Sequence, residues 1–174
     1  MIFWYGLIVL VVVIRFGELA VAKRNRAWAM ERGGVETGAE HYPFMVALHT
    51  ALFVGCLLEV PLADRPFLPW LGWPMLVLLV AAHGLRWWCI RTLGPQWNTR
   101  VIRVPGASLV TTGPYRWLNH PNYVAVVAEG FALPLVHTAW VTAVIFTVLN
   151  ALLLRVRLRV ETEALARAPV RMTG

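Results

Sequence analysis

Charge is scarce in this chain: only 14% of its 174 residues are charged, against 59% apolar residues and a mean hydropathy of +0.62. A soluble domain carries roughly a quarter charged residues, so water is not the main solvent of this fold. Cysteine is scarce too. Cys56 and Cys89 sit in separate apolar runs, with no Cys-x-x-Cys pair and no Cys/His ligand spacing, which argues against a zinc site and leaves two packed thiols. No Gly-x-Gly-x-x-Gly turn follows a strand pattern, so a Rossmann-type nucleotide site is not expected. The N-terminal apolar run has no basic leader and no small-residue cleavage site, and reads as a retained first span rather than a signal peptide. Internal repeats, low-complexity stretches and a second soluble domain are also missing, so residues 1–174 read as a single domain.

What the chain does contain is long apolar runs without the alternation of a barrel strand. A helix needs about 20 such residues to cross a bilayer, and backbone satisfaction in lipid leaves helices as the solution. Five candidates follow: Ile2 to Ala22, Pro43 to Leu62, Leu68 to Ile90, Tyr123 to Val136 and Trp140 to Leu154. The fourth is short enough to be tilted or partly re-entrant, and a four-span chain without it is the main alternative. Tryptophans flank these runs (Trp4, Trp70, Trp73, Trp87, Trp88, Trp140), as aromatic anchors at a membrane interface do.

The formal net charge is +7, and its placement favours membranes over nucleic acid. Fourteen of the sixteen basic residues follow the first span, surround the loop after the third or follow the last. Arg65 lies in an opposite loop and Arg15 inside the first span. Anionic headgroups are the expected partners. Five spans, with the N-terminus outside and the C-terminus cytoplasmic, satisfy the positive-inside rule. An all-α integral membrane protein is the expected fold class.

Polar groups concentrate in two places. The first is the interruption from Arg91 to Asn122, whose Trp97, Val101, Ile102, Leu109, Val110, Tyr115 and Trp117 predict an ordered cytoplasmic cap rather than disorder. Thr111-Thr112-Gly113-Pro114 is a turn signal, and Tyr115 to Asn119 is expected to begin a short helix stopped by Pro121. The second is the run from Arg157 to Leu165, which prolongs the last apolar run and puts Arg157 and Glu161 on one helix face. Arginines at a helix end are ordinarily anchors, but Glu161 and Glu163 exceed what an anchor needs. Within the spans, Arg15 and Glu18 are spaced for a local ion pair. His49 and His83 are expected to hydrogen-bond between helices rather than bind metal. A carboxylate at membrane depth, such as Glu129, ordinarily faces a partner or a cavity. A transport module with Arg15, Glu18, Glu59 and Glu129 along a polar path is the competing reading from another functional class.

Gly113-Pro114-Tyr115, then His120-Pro121-Asn122-Tyr123, then Arg157 to Glu161 with Leu165 form an ordered set in the C-terminal half. In this the chain resembles the isoprenylcysteine carboxyl methyltransferases and their bacterial relatives. Three positions depart from that pattern: Asn119 replaces an arginine, Val124-Ala125 replace a glycine, and Thr162 with Glu163 replaces a Glu-Glu pair. The resemblance implies S-adenosylmethionine as cofactor, held by His120, Pro121, Asn122, Tyr123 and Glu161, with Tyr115, Leu109 and Val110 lining its pocket. It implies Arg157 and Glu161 as catalytic residues, Arg157 orienting an anionic acceptor oxygen, with His120 or Glu161 as base where the acceptor is a phenol. The departures and Glu129 look like the branch accompanying type III polyketide synthases. That points to a lipophilic small-molecule acceptor of the alkyl phenol or pyrone class, contacted by Arg157 and Glu129, with isoprenylcysteine carboxylate as the alternative.

Overall fold

The computed structural model describes residues 1–166, which form five long helices and one short two-stranded ribbon. The helices are α1 (Ile2–Glu31), α2 (Tyr42–Leu62), α3 (Pro69–Leu93), α4 (Pro121–Leu135) and α5 (Trp140–Ala166). Prolines open α2, α3 and α4 within their first two positions, where a helix has no use for the missing N–H. Pro121 therefore starts a helix instead of stopping one. The segment before it is only a 3-10 turn, Gly113–Arg116, rather than the expected short helix.

Three helices outrun the apolar stretches that announce them. α1 continues from Ala22 to Glu31, α3 reaches Leu93, and α5 runs without interruption past Glu161. The added turns run past the apolar segments and build the cap. On α1, Asn25 is buried and its side-chain amide donates to the carbonyls of Gly94 (3.0 Å) and Trp97 (2.8 Å) beyond the end of α3. Strands β1 (Val35–Thr37) and β2 (Val101–Arg103) pair antiparallel, with Glu36 opposite Ile102, an element the sequence does not announce.

Among the described residues four helices are long and apolar enough to cross a bilayer; α4 is not. Its 15 residues extend roughly 22 Å, against about 30 Å of hydrocarbon. It nevertheless traverses the bundle. Tyr123, near its start, bonds Glu161 near the cap end of α5. Just past its other end His137 Nδ1 meets the Arg65 carbonyl at 2.9 Å, and Thr138 donates to the Pro66 carbonyl at 2.7 Å. Every residue from Glu129 to Ala139 except Phe131 is buried, so this end of α4 faces protein and needs no match to lipid thickness. The connections α1–α2 and α3–α4 and the end of α5 thus share one face, opposite Arg65.

The apolar core occupies the half of the bundle away from the cap, around Trp4, Ile8, Leu52, Val60, Leu79 and Leu133. Trp4 is a core residue rather than an interface anchor: it is fully buried, with its ring 5.4 Å from that of His137. Trp70 and Trp73 at the start of α3 are exposed, as anchors are. Arg167 and Arg171 lie outside the described residues.

Candidate active site between the cap and the membrane half

The Gly113-Pro114-Tyr115 turn packs on the end of α3. Gly113 has φ +57°, and a β-carbon there would stand 2.5 Å from Thr92 Oγ1 and 3.1 Å from Trp88 Nε1. Only glycine meets both conditions. The turn seats Tyr115, half-buried, near the Cys89 thiol. Burial, reinforced by Cys89 and Glu161, pushes the Tyr115 phenol well above its usual pKa, so it stays a neutral donor.

Five residues further on, the His120-Pro121-Asn122-Tyr123 box opens α4. The His120 and Tyr123 rings stack at 5.3 Å with only 10° between their planes. The Tyr123 hydroxyl donates to Glu161 Oε2 at 2.6 Å and accepts from Arg157 Nε at 3.0 Å. His120 Nδ1 stands 3.9 Å from the same carboxylate oxygen. Glu161 keeps 29% of its side chain exposed and His120 keeps 37%, so the acid and the imidazole face an accessible mouth. Arg157 points the other way: Nη2 donates to the Thr99 carbonyl at 2.7 Å and Nη1 contacts Met45 Sδ. The α4 box and the α5 pair, 34 to 41 positions apart in sequence, are one hydrogen-bonded unit.

Behind that unit lies a cavity of about 480 Å³ between α1, α2, α4 and α5, with Asn122, Tyr123 and Arg157 at its cap end. Its walls are mostly apolar, from Phe16 and Leu19 on α1 to Met45, Phe53 and Leu57 on α2 and Leu153 on α5. Phe16, Leu19 and Leu57 line the cavity and are also surface-exposed, so it opens sideways between α1 and α2.

Arg15, Glu18 and Arg86 form the cavity's charged wall. Arg15 donates to Glu18 at 2.7 Å, as the spacing predicts, and also to Glu129 on α4. Arg86 grips Glu129 through both Nε (3.0 Å) and Nη2, and His83 Nδ1 takes the same carboxylate. Arg86, counted above with the basic residues around the loop after the third span, therefore belongs to the bundle interior, 4% exposed. Its spacing of three from His83 on one helix face is the signal that could have placed it. His49 hydrogen-bonds within its own helix, to the Met45 carbonyl at 2.8 Å, rather than between helices.

Glu59 lies apart from this cluster. It accepts from the backbone N–H groups of Val141 (3.1 Å) and Thr142 (2.7 Å) at the start of α5 and pairs with Arg65, capping a helix N-terminus. The four intramembrane charges do not form a path. Leu109 is exposed, Val110 is half-buried, and neither lines the cavity.

A family model described as "Isoprenylcysteine carboxyl methyltransferase (ICMT) family" matches residues 75–167. The chain belongs to that family. Among curated proteins it is similar to the uncharacterized protein YpbQ of Bacillus subtilis (strain 168), 39% identical over 170 residues, covering 97% of this chain and 99% of that one. It is also similar to an uncharacterized protein of Haemophilus influenzae, 22% identical over 159 residues, 90% of this chain and 91% of the other. This isoprenylcysteine carboxyl methyltransferase relative is thus a membrane methyltransferase of the family's type. The matched segment takes in α3 from residue 75 on, the cap loop and both boxes; α1 and α2, which form much of the cavity, precede it.

Proposed function

We propose that this chain is an S-adenosylmethionine-dependent O-methyltransferase acting on an alkyl phenol or pyrone-type lipid, with its active site on the cytoplasmic face of the bacterial inner membrane. The observation that carries this is the Tyr123–Glu161–Arg157 unit, which stands between an accessible aromatic and acidic mouth and an apolar cavity open to lipid.

The mouth fits a sulfonium cofactor. His120 and Tyr123 present stacked π-faces and Glu161 a partly exposed carboxylate, and both attract a cation. Tyr115, held neutral, adds a hydroxyl donor, while Pro121 and Asn122 contribute backbone and amide contacts. Leu109 and Val110 take part only as a side of the pocket contributed by the cap loop. When bound, S-adenosylmethionine supplies an electrophilic methyl group on a positively charged sulfur.

On the cavity side Arg157 holds the acceptor oxygen. Its guanidinium, fixed by Tyr123 and the Thr99 carbonyl, stabilises negative charge there without needing to reorganise. A phenolic proton leaves to the adjacent His120–Glu161 pair; a carboxylate acceptor needs no base. The apolar walls hold the lipid tail and align the oxygen, which is the main lever in a two-reactant displacement.

Calorimetry with S-adenosylmethionine in detergent tests the cofactor. Binding is expected in the wild type and lost in His120→Ala and Glu161→Ala; no binding, or binding indifferent to both changes, would sink the proposal. Mass spectrometry of lipid extracts incubated with methyl-labelled cofactor tests the acceptor. Label on prenylated peptide alone would replace the phenolic lipid with isoprenylcysteine.

A further inference from the structure

The charged wall of the cavity has a use beyond holding helices together. Ionised groups at membrane depth are costly unless they pair, and a purely structural cluster is expected to close on itself. This one does not. Glu18, 2% exposed and on the cavity wall, has its Oε1 buried without a hydrogen-bond partner, as has Arg15 Nε. Arg86 Nε approaches Glu18 Oε1 only to 3.6 Å. Arg15, although bonded to Glu18 and Glu129, keeps 20% of its side chain accessible. Arg15 thus brings a cation, with an unpaired N–H, to the wall of a mostly apolar cavity.

We infer that Arg15 is a second polar subsite, which donates to an oxygen of the bound lipophile distal to the reacting one. This rests on the cavity being the acceptor site. Glu129, which Arg15 touches, is six residues past Tyr123 on α4, or roughly 9 Å deeper along the helix. The acceptor thus has two oxygens set apart across its head: one held at Arg157, the other at Arg15, with the tail leaving between α1 and α2. Arginine only donates, so the distal group accepts; a hydroxyl, a ring carbonyl or a carboxylate meets that requirement and an unsubstituted ring edge does not. Removing Arg15 leaves Glu129 held by Arg86 and His83, but leaves Glu18 with only the more distant Arg86 guanidinium, 3.6 Å away, so Arg15→Lys, which keeps a cation there, is the milder change.

The test is equilibrium binding, without cofactor, of an alkylresorcinol and of the alkylphenol that lacks one of its hydroxyls. The wild type is expected to prefer the dihydroxy lipid about tenfold, the worth of one hydrogen bond to a charged group. Arg15→Met is expected to bind both alike and Arg15→Lys to restore part of the preference. Equal binding of the two lipids by the wild type, or a preference that survives Arg15→Met, overturns the subsite; the wild-type ratio decides the matter even if the Met variant does not fold. Methyl transfer is scored separately with labelled cofactor. A preference without transfer leaves the subsite standing and removes the methyltransferase reading, whereas transfer to both lipids at equal affinity does the reverse.

Discussion

Tyr123, three residues into α4, donates its hydroxyl to Glu161 Oε2 at 2.6 Å while accepting from Arg157 Nε at 3.0 Å. One phenol thereby fixes both a carboxylate and a guanidinium that belong to another helix. Tyr123→Phe keeps the ring stacked on His120 and removes both bonds. The expected result is a loss of roughly 10- to 100-fold in kcat/KM, since bonds to charged groups are worth about 1.5–3 kcal/mol. Steady-state kinetics on the identified lipid checks this, with circular dichroism showing the helices unchanged; full activity in the Phe variant would mean that Arg157 and Glu161 do not depend on Tyr123.

Much of this unit was legible in the sequence, because helical spacing alone puts Arg157 and Glu161 on one face and a proline-opened helix fixes where Tyr123 points. The register between α4 and α5 was not legible. It depends on Gly130, whose missing side chain lets Phe146 press against the α4 backbone, a fact about shape rather than pattern. Nor was Thr99, whose carbonyl anchors Arg157, because a backbone acceptor leaves no residue-type signal. The apolar runs located the spans but not their ends: Lys23 to Glu31 is polar enough to pass for a loop, and it stays helical because Asn25 and Ala29 are buried against the cap.

Gly130 therefore supplies a second prediction. A methyl group there overlaps the Phe146 ring, and overpacking of this kind costs about 1–3 kcal/mol. Gly130→Ala is expected to lower the thermal midpoint in detergent and Gly130→Ala with Phe146→Leu to recover most of it. An additive loss in the double variant would show that the two positions are not in contact.

Glu129 holds Arg15, Arg86 and His83 together at membrane depth. Glu129→Ala leaves two cations without their shared partner, and breaking a buried ion pair from one side costs about 3–5 kcal/mol. The variant is expected to be poorly folded. Replacing Arg86 and Glu129 together by Met and Leu is expected to be much milder, since no charge is then stranded. Thermal unfolding of the three proteins in the same detergent distinguishes these cases, and equal stability of Glu129→Ala and wild type would remove the cluster from any structural role.

The cap ribbon carries a pH dependence of its own. Burial raises the Glu36 pKa, but hydrogen bonds from Arg100 and Arg26, with their charges, outweigh it and hold the carboxyl below its usual range. A carboxyl depressed in the folded state stabilises at pH above its unfolded value, about 4.3, and loses that contribution as pH falls through the folded value. Near neutrality Glu36 is fully ionised and pins β1 to the Arg100 side of β2. Amide exchange of residues 35–37 and 101–103 is therefore expected to quicken as pH drops from about 5 toward 3, after correction for the intrinsic exchange rate, and Glu36→Gln is expected to exchange quickly at both. Because Arg100 follows Thr99, whose carbonyl holds Arg157, the same Gln variant is expected to lower methyl transfer severalfold at neutral pH while leaving the thermal midpoint of the bundle nearly unchanged. A Gln variant with wild-type transfer would uncouple the ribbon from the site.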